Sequence, residues 1–248
     1  MAASRLLALI SLVPLLQPIA AGAQELVPLT EDSHIATRTI ADGDSAAGWI
    51  ATAQVPTIEG PAAADPAWSG FEALLDTVLA AEIEEFLANF AQWESPDSEM
   101  LSSFDAAGSV LWARPPILST VLDVSVYHAG AAHPGHYVIT LVWDADRRRA
   151  LTTEDLFAPG SAWPEVVSEA VQPALWSDLG EMADTDWIAE GAGPDPANFT
   201  RWGLVEEGML VFFDPYQVAP YAAGPQAVTI PYAALAEVAN PAGPLARR

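Results

Sequence analysis

The chain has 248 residues, of which 51% are hydrophobic, 33 are Asp or Glu and only nine are Lys or Arg. Its formal net charge of −24 at pH 7 disfavours binding to nucleic acid and to anionic lipid head groups, because both carry negative charge. There are no cysteines, so no disulfide staples the fold and no thiol can act as a nucleophile. Stability must therefore come from an apolar core.

The first 23 residues predict a secretory signal peptide. Arg5 gives the start a positive charge, residues 6–20 are almost wholly apolar, and residues 21–23 have the small-x-small pattern that signal peptidase needs. A membrane anchor is the weaker interpretation, because a spanning helix needs about 20 apolar residues and this run is shorter. We expect cleavage after Ala23, a periplasmic or secreted location, and no membrane insertion after cleavage.

Strand and helix patterns follow in chain order. Apolar residues recur at three- and four-residue spacing from Phe71 to Phe90, which predicts a long amphipathic helix. Short runs rich in Val, Ile and aromatic residues, bounded by Gly, Pro or Asp, predict strands. Residues 137–143 are apolar at both alternating positions, which predicts a central strand. The predicted strands are 34–41, 49–55, 110–114, 118–127, 137–143, 199–205, 209–213 and 227–230, and the predicted helices are 71–90, 163–179 and 232–238.

Prolines and capping residues predict where elements end. Pro56 is expected to end the strand that begins at Trp49, since proline cannot donate a ladder hydrogen bond. The segment from Thr152 to Asp155 resembles a capping box that opens a short helical turn. Residues 24–32 are expected to form a loose leader.

This order of elements favours an α+β fold. Strands adjacent in sequence are joined by short turns, which favours antiparallel pairing, and the amphipathic helices are expected to pack on one face of the sheet or sheets. We expect two subdomains after the signal peptide, residues 24–115 with the long helix and residues 116–248.

Three of the four histidines, His128, His133 and His136, lie within nine residues. Neutral imidazoles bind zinc, and three of them can leave a position open for water, so a metal-dependent hydrolase is the alternative function. However, no carboxylate stands at a recognisable ligand spacing, and the His-Glu-x-x-His motif is absent. The favoured interpretation is a loop without metal, in which His133 orders the backbone ahead of Pro134.

Residues 212–225 form an aromatic segment that three prolines stiffen. Proline stops both helix and strand here, while Tyr216 and Tyr221 supply aromatic rings. Such a rigid loop suits a binding surface, because little conformational entropy is lost on contact. It equally suits a plug folded over the edge of a sheet, and both interpretations stay open.

Several enzyme signatures are missing. There is no Gly-x-Ser-x-Gly elbow and no phosphate-binding loop, and residues 191–193 lack the third glycine of a dinucleotide fingerprint. With 33 acidic residues, some carboxylate pair lies close by chance, so a glycosidase pair cannot be recognised. We therefore expect binding rather than catalysis, with no catalytic residue and no cofactor.

Four segments resemble one family of exported bacterial domains. They are residues 127–134 (YHAGAAHP), 151–157 (LTTEDLF), 212–225 (FFDPYQVAPYAAGP) and 228–235 (VTIPYAAL). They are similar to the RsiV-like extracytoplasmic domain, which the lysozyme-sensing anti-sigma factor RsiV shares with the peptidoglycan deacetylase PdaC. The part before residue 116 is similar, more loosely, to the companion domain that usually precedes it.

The resemblance implies the fold, an envelope location, and a partner that is a cell-wall fragment or a basic protein such as lysozyme. It does not carry over anti-sigma activity, because we expect neither a membrane segment nor a sigma-binding part here. Deacetylation belongs to a separate catalytic domain in PdaC. The residues expected to bind are Tyr127, His133, Pro134, Tyr216 and Tyr221.

Overall fold

The computed structural model describes residues 26–93 and 100–247. The predicted signal peptide, residues 1–23, lies outside them. The chain divides into two compact units, the first ending at Leu151 and the second beginning at Thr152. The subdomain limit predicted at 115/116 lies in the turn between two paired strands of the first unit.

The first unit is a seven-stranded sheet with a long helix packed on one face. Its elements are β1 (Val27–Thr30), β2 (Ser33–Asp44), β3 (Trp49–Glu59), α1 (Ser69–Phe90), β4 (Ser102–Arg114), β5 (Ile117–Tyr127), β6 (Gly135–Asp144) and β7 (Arg149–Ala150). The strands lie side by side in chain order, and all neighbours are antiparallel except β3 and β4. That pair is parallel because α1 lies between the two strands in the chain and provides the crossover that parallel strands need. The sheet is therefore mixed rather than antiparallel throughout.

The core of the first unit lies between α1 and one face of the sheet. Phe71, Leu75, Leu79 and Phe86 are buried at helical spacing along α1. Alternate residues of the neighbouring strands meet them, because successive side chains of a strand point to opposite faces. The buried sheet residues include Ala51, Ala53 and Val55 of β3, Phe104 and Ala106 of β4, and Leu122 and Val124 of β5.

The prediction that Pro56 ends its strand was wrong. β3 continues to Glu59, and Pro56 pairs with Thr37 of β2. The parallel ladder with β4 ends at Gln54, so Pro56 has no ladder bond to lose on that side. Gly108 leaves room for the proline ring, because a Cβ at Gly108 would lie 2.6 Å from Pro56 Cδ.

The position predicted for β6 was also wrong. β6 pairs with β5 along its length, but only Trp143 and Asp144 pair with β7. It therefore lies near one end of the sheet rather than at its centre. At the other end, β1 occupies part of the predicted loose leader.

The second unit combines helices with a three-stranded antiparallel sheet in the order β10-β9-β8. Its elements are α2 (Thr153–Leu156), α3 (Trp163–Leu179), α4 (Thr185–Gly191), β8 (Trp202–Leu204), β9 (Gly208–Phe213), β10 (Gln226–Pro231) and α5 (Tyr232–Leu235). The central strand β9 is buried along its whole length, and α3 packs against β10 and α5. The capping box is confirmed, since Thr152 and Asp155 exchange its two hydrogen bonds at the start of α2.

The α+β class is confirmed, and each of the eight predicted strands has a counterpart in the structure. Within residues 26–93 and 100–247, no helix has both the length and the apolar character needed to cross a membrane.

Candidate functional site

The predicted histidine cluster is not brought together. His128 stacks between Phe86 and Trp93, with ring centroids 5.8 and 5.0 Å away. His133 lies in an exposed loop with Nδ1 2.9 Å from Pro134 O, and His136 lies in β6 opposite Ser125. In the described part of the chain, no three His, Cys, Asp or Glu side chains are placed to hold a metal ion. The geometry therefore does not offer the three-imidazole site that the hydrolase alternative requires.

Hydrogen bonds brace the start of this loop, residues 127–130. Trp93 Nε1 donates to Ala129 O at 2.9 Å, and the Ala129 amide donates to Ser102 Oγ at 2.9 Å. The Gly130 amide donates to the Tyr127 hydroxyl at 3.2 Å. These bonds fix the position of Tyr127 and leave His133 at the exposed part of the loop.

The partly buried ring of His128 is expected to make the stability of the first unit depend on pH. Burial lowers the pKa of His128 below 6.5, and its Nδ1 is buried with no hydrogen-bond partner among the described residues. The unfolded chain therefore takes up a proton at a higher pH than the folded protein does. The contribution of His128 is complete above 6.5 and is lost as the pH falls from 6.5 towards the folded-state pKa.

Substitution of this histidine tests that dependence. His128→Phe keeps a stacked ring and removes the titrating group, so the free energy of unfolding of the wild type should fall more steeply with acidification than that of the variant. Urea unfolding at about pH 7.5, 6.5 and 5.5 measures the difference. Identical pH profiles for the two proteins would contradict the assignment.

The second loop, residues 214–225, joins β9 to β10 and exposes Tyr216. The Tyr216 side chain is 55% exposed, yet its backbone has a φ of 71°, in the left-handed region that bulky residues avoid. Such a conformation costs on the order of 1 kcal/mol and persists only when its surroundings hold it. The Tyr216 amide donates to Ala219 O at 3.1 Å, and Trp187 Nε1 donates to Tyr216 O at 2.8 Å.

Gln217 fixes the base of the same loop. Its Nε2 donates to Gly191 O and to Asn198 O, each at 3.0 Å, and its Oε1 accepts from the Asp214 amide at 3.3 Å. Gly191 is also in close contact with this residue, since a Cβ on Gly191 would lie 1.7 Å from Gln217 O. Hydrogen bonds and close packing therefore hold the end of α4 against the base of the loop.

The loop combines features of both sequence interpretations. Val218 and Ala219 are buried, as a plug would be. The rings of Tyr216 and Tyr221 lie 5.6 Å apart at 35° and form an aromatic pair, with Tyr216 facing solvent. The buried residues anchor the loop and leave this pair at the surface.

Acidic side chains lie on α4, the helix whose Trp187 supports Tyr216. Trp187, whose indole bonds to the main chain of Tyr216, lies in α4 between exposed Asp186 and exposed Glu190. Asp214 is paired with Arg201 at 2.9 Å, so its charge is offset. The exposed charges on either side of Trp187 in α4 are thus negative.

Sequence reasoning missed Trp187 and Gln217, because both act through contacts with distant segments. The available signal was the N-cap of α4, where Asp184 accepts from the amides of Asp186 and Trp187. The expected binding residues lie in both units. Tyr127, His133 and Pro134 belong to the first unit, and Tyr216 and Tyr221 belong to the second.

Part of the second unit is similar to a known protein family. Residues 154–233 match the model of DUF3298, described as a protein of unknown function. The immunogenic protein MPT64 of Mycobacterium tuberculosis is 32% identical over 124 residues, which cover 50% of this chain and 53% of MPT64. Peptidoglycan-N-acetylmuramic acid deacetylase PdaC of Bacillus subtilis is 26% identical over 111 residues, which cover 45% of this chain and 24% of PdaC. This chain thus spans about half the length of MPT64 and about a quarter of PdaC.

A solved structure supports the fold. The crystal structure of a DUF3298 family member from Bacteroides fragilis superposes with a TM-score of 0.55 at 14% identity, covering 84% of this chain and 94% of that one. The resemblance drawn from the loop motifs, to the domain found in PdaC, is confirmed by the family match and the PdaC similarity. The match to DUF3298 covers residues 154–233 of this chain.

Proposed function

We propose that this chain is an exported, extracytoplasmic binding domain that contacts its ligand through the 214–225 loop. The observation that carries the proposal is Tyr216, which is 55% exposed although its backbone is held at a φ of 71°. Strained backbone that is held by its surroundings concentrates at binding and active sites. A fixed aromatic side chain contributes contact area at low entropic cost, as Tyr does at many interfaces.

The ligand that fits best is a basic protein such as lysozyme, and the second candidate is a cell-wall fragment. The formal charge of −24 attracts cationic partners, and Asp186 and Glu190 are exposed on α4, whose Trp187 bonds to the main chain of Tyr216. Tyrosine faces also attract guanidinium and ammonium groups. The similarity to PdaC, whose name places it on peptidoglycan, supports a location at the cell wall.

The location follows from the predicted signal peptide, with cleavage after Ala23 and release to the periplasm or the medium. The loop with Tyr127, His133 and Pro134 is proposed as an additional contact, because His133 lies exposed beside a rigidly braced turn.

Titration calorimetry against hen lysozyme at several salt concentrations tests this function. A specific one-to-one complex should survive about 1 M salt, where the Debye length falls to about 3 Å, whereas simple charge attraction should vanish. Tyr216→Ala and Tyr221→Ala should each weaken binding by about tenfold, typical of an aromatic interface residue.

Trp176→Ala is the matched control, since Trp176 lies on α3 and is 51% exposed. It should leave the affinity within about twofold, because truncating most interface or surface residues has small effects. Equal affinities for wild type, Tyr216→Ala and Tyr221→Ala would reject the loop as the site. Absence of lysozyme binding at every salt concentration would reject the basic protein, and muropeptides would then be titrated in the same way.

A further inference from the structure

The first unit carries a second surface on the face of its sheet that α1 does not cover, and this surface shares only Tyr127 with the contacts proposed above. Strand registers place Thr52 of β3 opposite Asp105 of β4, Asp105 opposite Ser125 of β5, and Ser125 opposite His136 of β6. Asp123 and Tyr127 are two residues either side of Ser125, so they share its face. These six residues are called the polar shelf.

The polar shelf points away from the core. Phe104 and Ala106, which flank Asp105, and Val124, which lies between Asp123 and Ser125, are buried in the core beneath α1. Asp105 is exposed, and the other five shelf residues are partly exposed. With strands about 4.8 Å apart, the row from Thr52 to His136 spans about 14 Å. The five residues of β5 from Asp123 to Tyr127 span a similar length.

Four of the six shelf side chains are short, and all six can form hydrogen bonds. Hydroxyl groups donate and accept, carboxylates accept at two oxygens, and imidazole can do either. Short side chains such as Ser, Thr and Asp lose little rotamer entropy when a ligand orders them. Tyr127 adds an aromatic ring whose hydroxyl accepts from the Gly130 amide at 3.2 Å, so the ring is held in place.

Two features define the charge of the ligand. Asp105 and Asp123 are the formally charged members of the shelf, and both are acidic, so phosphates and other anions are disfavoured. Burial raises the pKa of Asp123, while the charge of nearby His136 lowers it. A partly desolvated carboxylate gains more than a fully hydrated one from a cationic group placed against it.

These features favour a sugar over a protein segment. Protein interfaces bury surface that is more than half apolar around an apolar centre, whereas the shelf offers hydrogen-bonding groups around one aromatic ring. We propose that the polar shelf binds an oligosaccharide that carries free amino groups. Its hydroxyls pair with the Ser, Thr, His and Asp side chains, its ammonium groups pair with the two carboxylates, and one sugar face packs on Tyr127.

The test titrates the purified chain with a short glucosamine oligomer, its N-acetylated counterpart, and an oligolysine of matched charge. The glucosamine oligomer should bind, and Asp105→Asn and Asp123→Asn should each weaken it about tenfold, as loss of a charge-assisted bond does. Glu31→Gln removes one carboxylate from the turn between β1 and β2 and should leave the affinity within about twofold. Tyr216→Ala should leave it unchanged too, which separates this site from the proposed loop.

Three results would overturn the inference. They are no binding of the glucosamine oligomer, equal binding of the N-acetylated oligomer, and equal binding of oligolysine with the same loss in the Asp variants. Thermal unfolding of each variant accompanies the titrations. If Asp123→Asn unfolds, exposed Asp105→Asn decides the question by itself.

Discussion

Gly191→Ala is expected to destabilise the second unit by about 3 kcal/mol, the upper end of the usual cost of overpacking. An added Cβ would lie 1.7 Å from Gln217 O and 2.6 Å from Gln217 C, so backbone must move. Gln217 resists that movement, because its side chain bonds to Gly191 O and Asn198 O. The displacement should also release Tyr216, whose carbonyl accepts from Trp187. Urea denaturation measures the first effect, and hydrogen exchange of the Tyr216 amide measures the second.

Gly160→Ala separates the clash from the loss of glycine. Gly160 has a φ of 73° and nothing within 4 Å of an added Cβ, so only backbone strain is introduced. The cost should be on the order of 1 kcal/mol, with no change in exchange at Tyr216. Equal losses of stability in the two variants would contradict the conclusion that Gly191 is needed for close contact between α4 and the 214–225 loop.

Phe86→Ala is expected to cost the first unit about 4 kcal/mol, the range for removing a buried phenylalanine. The side chain is 2% exposed, and its ring lies 6.2 Å from Phe104, 6.4 Å from Trp49 and 5.8 Å from His128. The cavity would remove core contacts of α1 and one side of the stack that holds His128. Urea unfolding gives the free energy, and the NMR resonances of the His128 ring report on the stack.

Phe90→Ala is the matched control, one helical turn further along α1. Its ring lies 6.4 Å from that of Phe86, but its side chain is only partly buried. The expected loss of unfolding free energy is about 1 kcal/mol, because Phe90 buries less apolar surface on folding than Phe86 does. An equal loss of stability in Phe90→Ala and Phe86→Ala would contradict the conclusion that Phe86 is a core residue and Phe90 is only partly buried.

Several conclusions could be drawn from the sequence by itself, because they depend on local patterns. The periodic apolar residues from Phe71 to Phe90 specify α1, since only one side of a helix can be buried against a sheet. The capping box at Thr152 and Asp155 is a contact within four residues, and it forms as predicted. The four segments 127–134, 151–157, 212–225 and 228–235 were sufficient to predict the resemblance, which the DUF3298 match confirms.

The tertiary structure decided everything that depends on pairing between distant segments. In the folded sheet β3 and β4 are parallel neighbours, and β6 lies near one end. No local sequence pattern specifies which strands become neighbours. The three histidines are close in sequence, but side-chain direction depends on the fold, so His128 lies between two aromatic rings while His136 lies on the opposite sheet face. Trp187 supports Tyr216 from 29 positions away in the chain. The sequence specifies which side chains are present. Strand register and tertiary packing determine which of them lie together in a site.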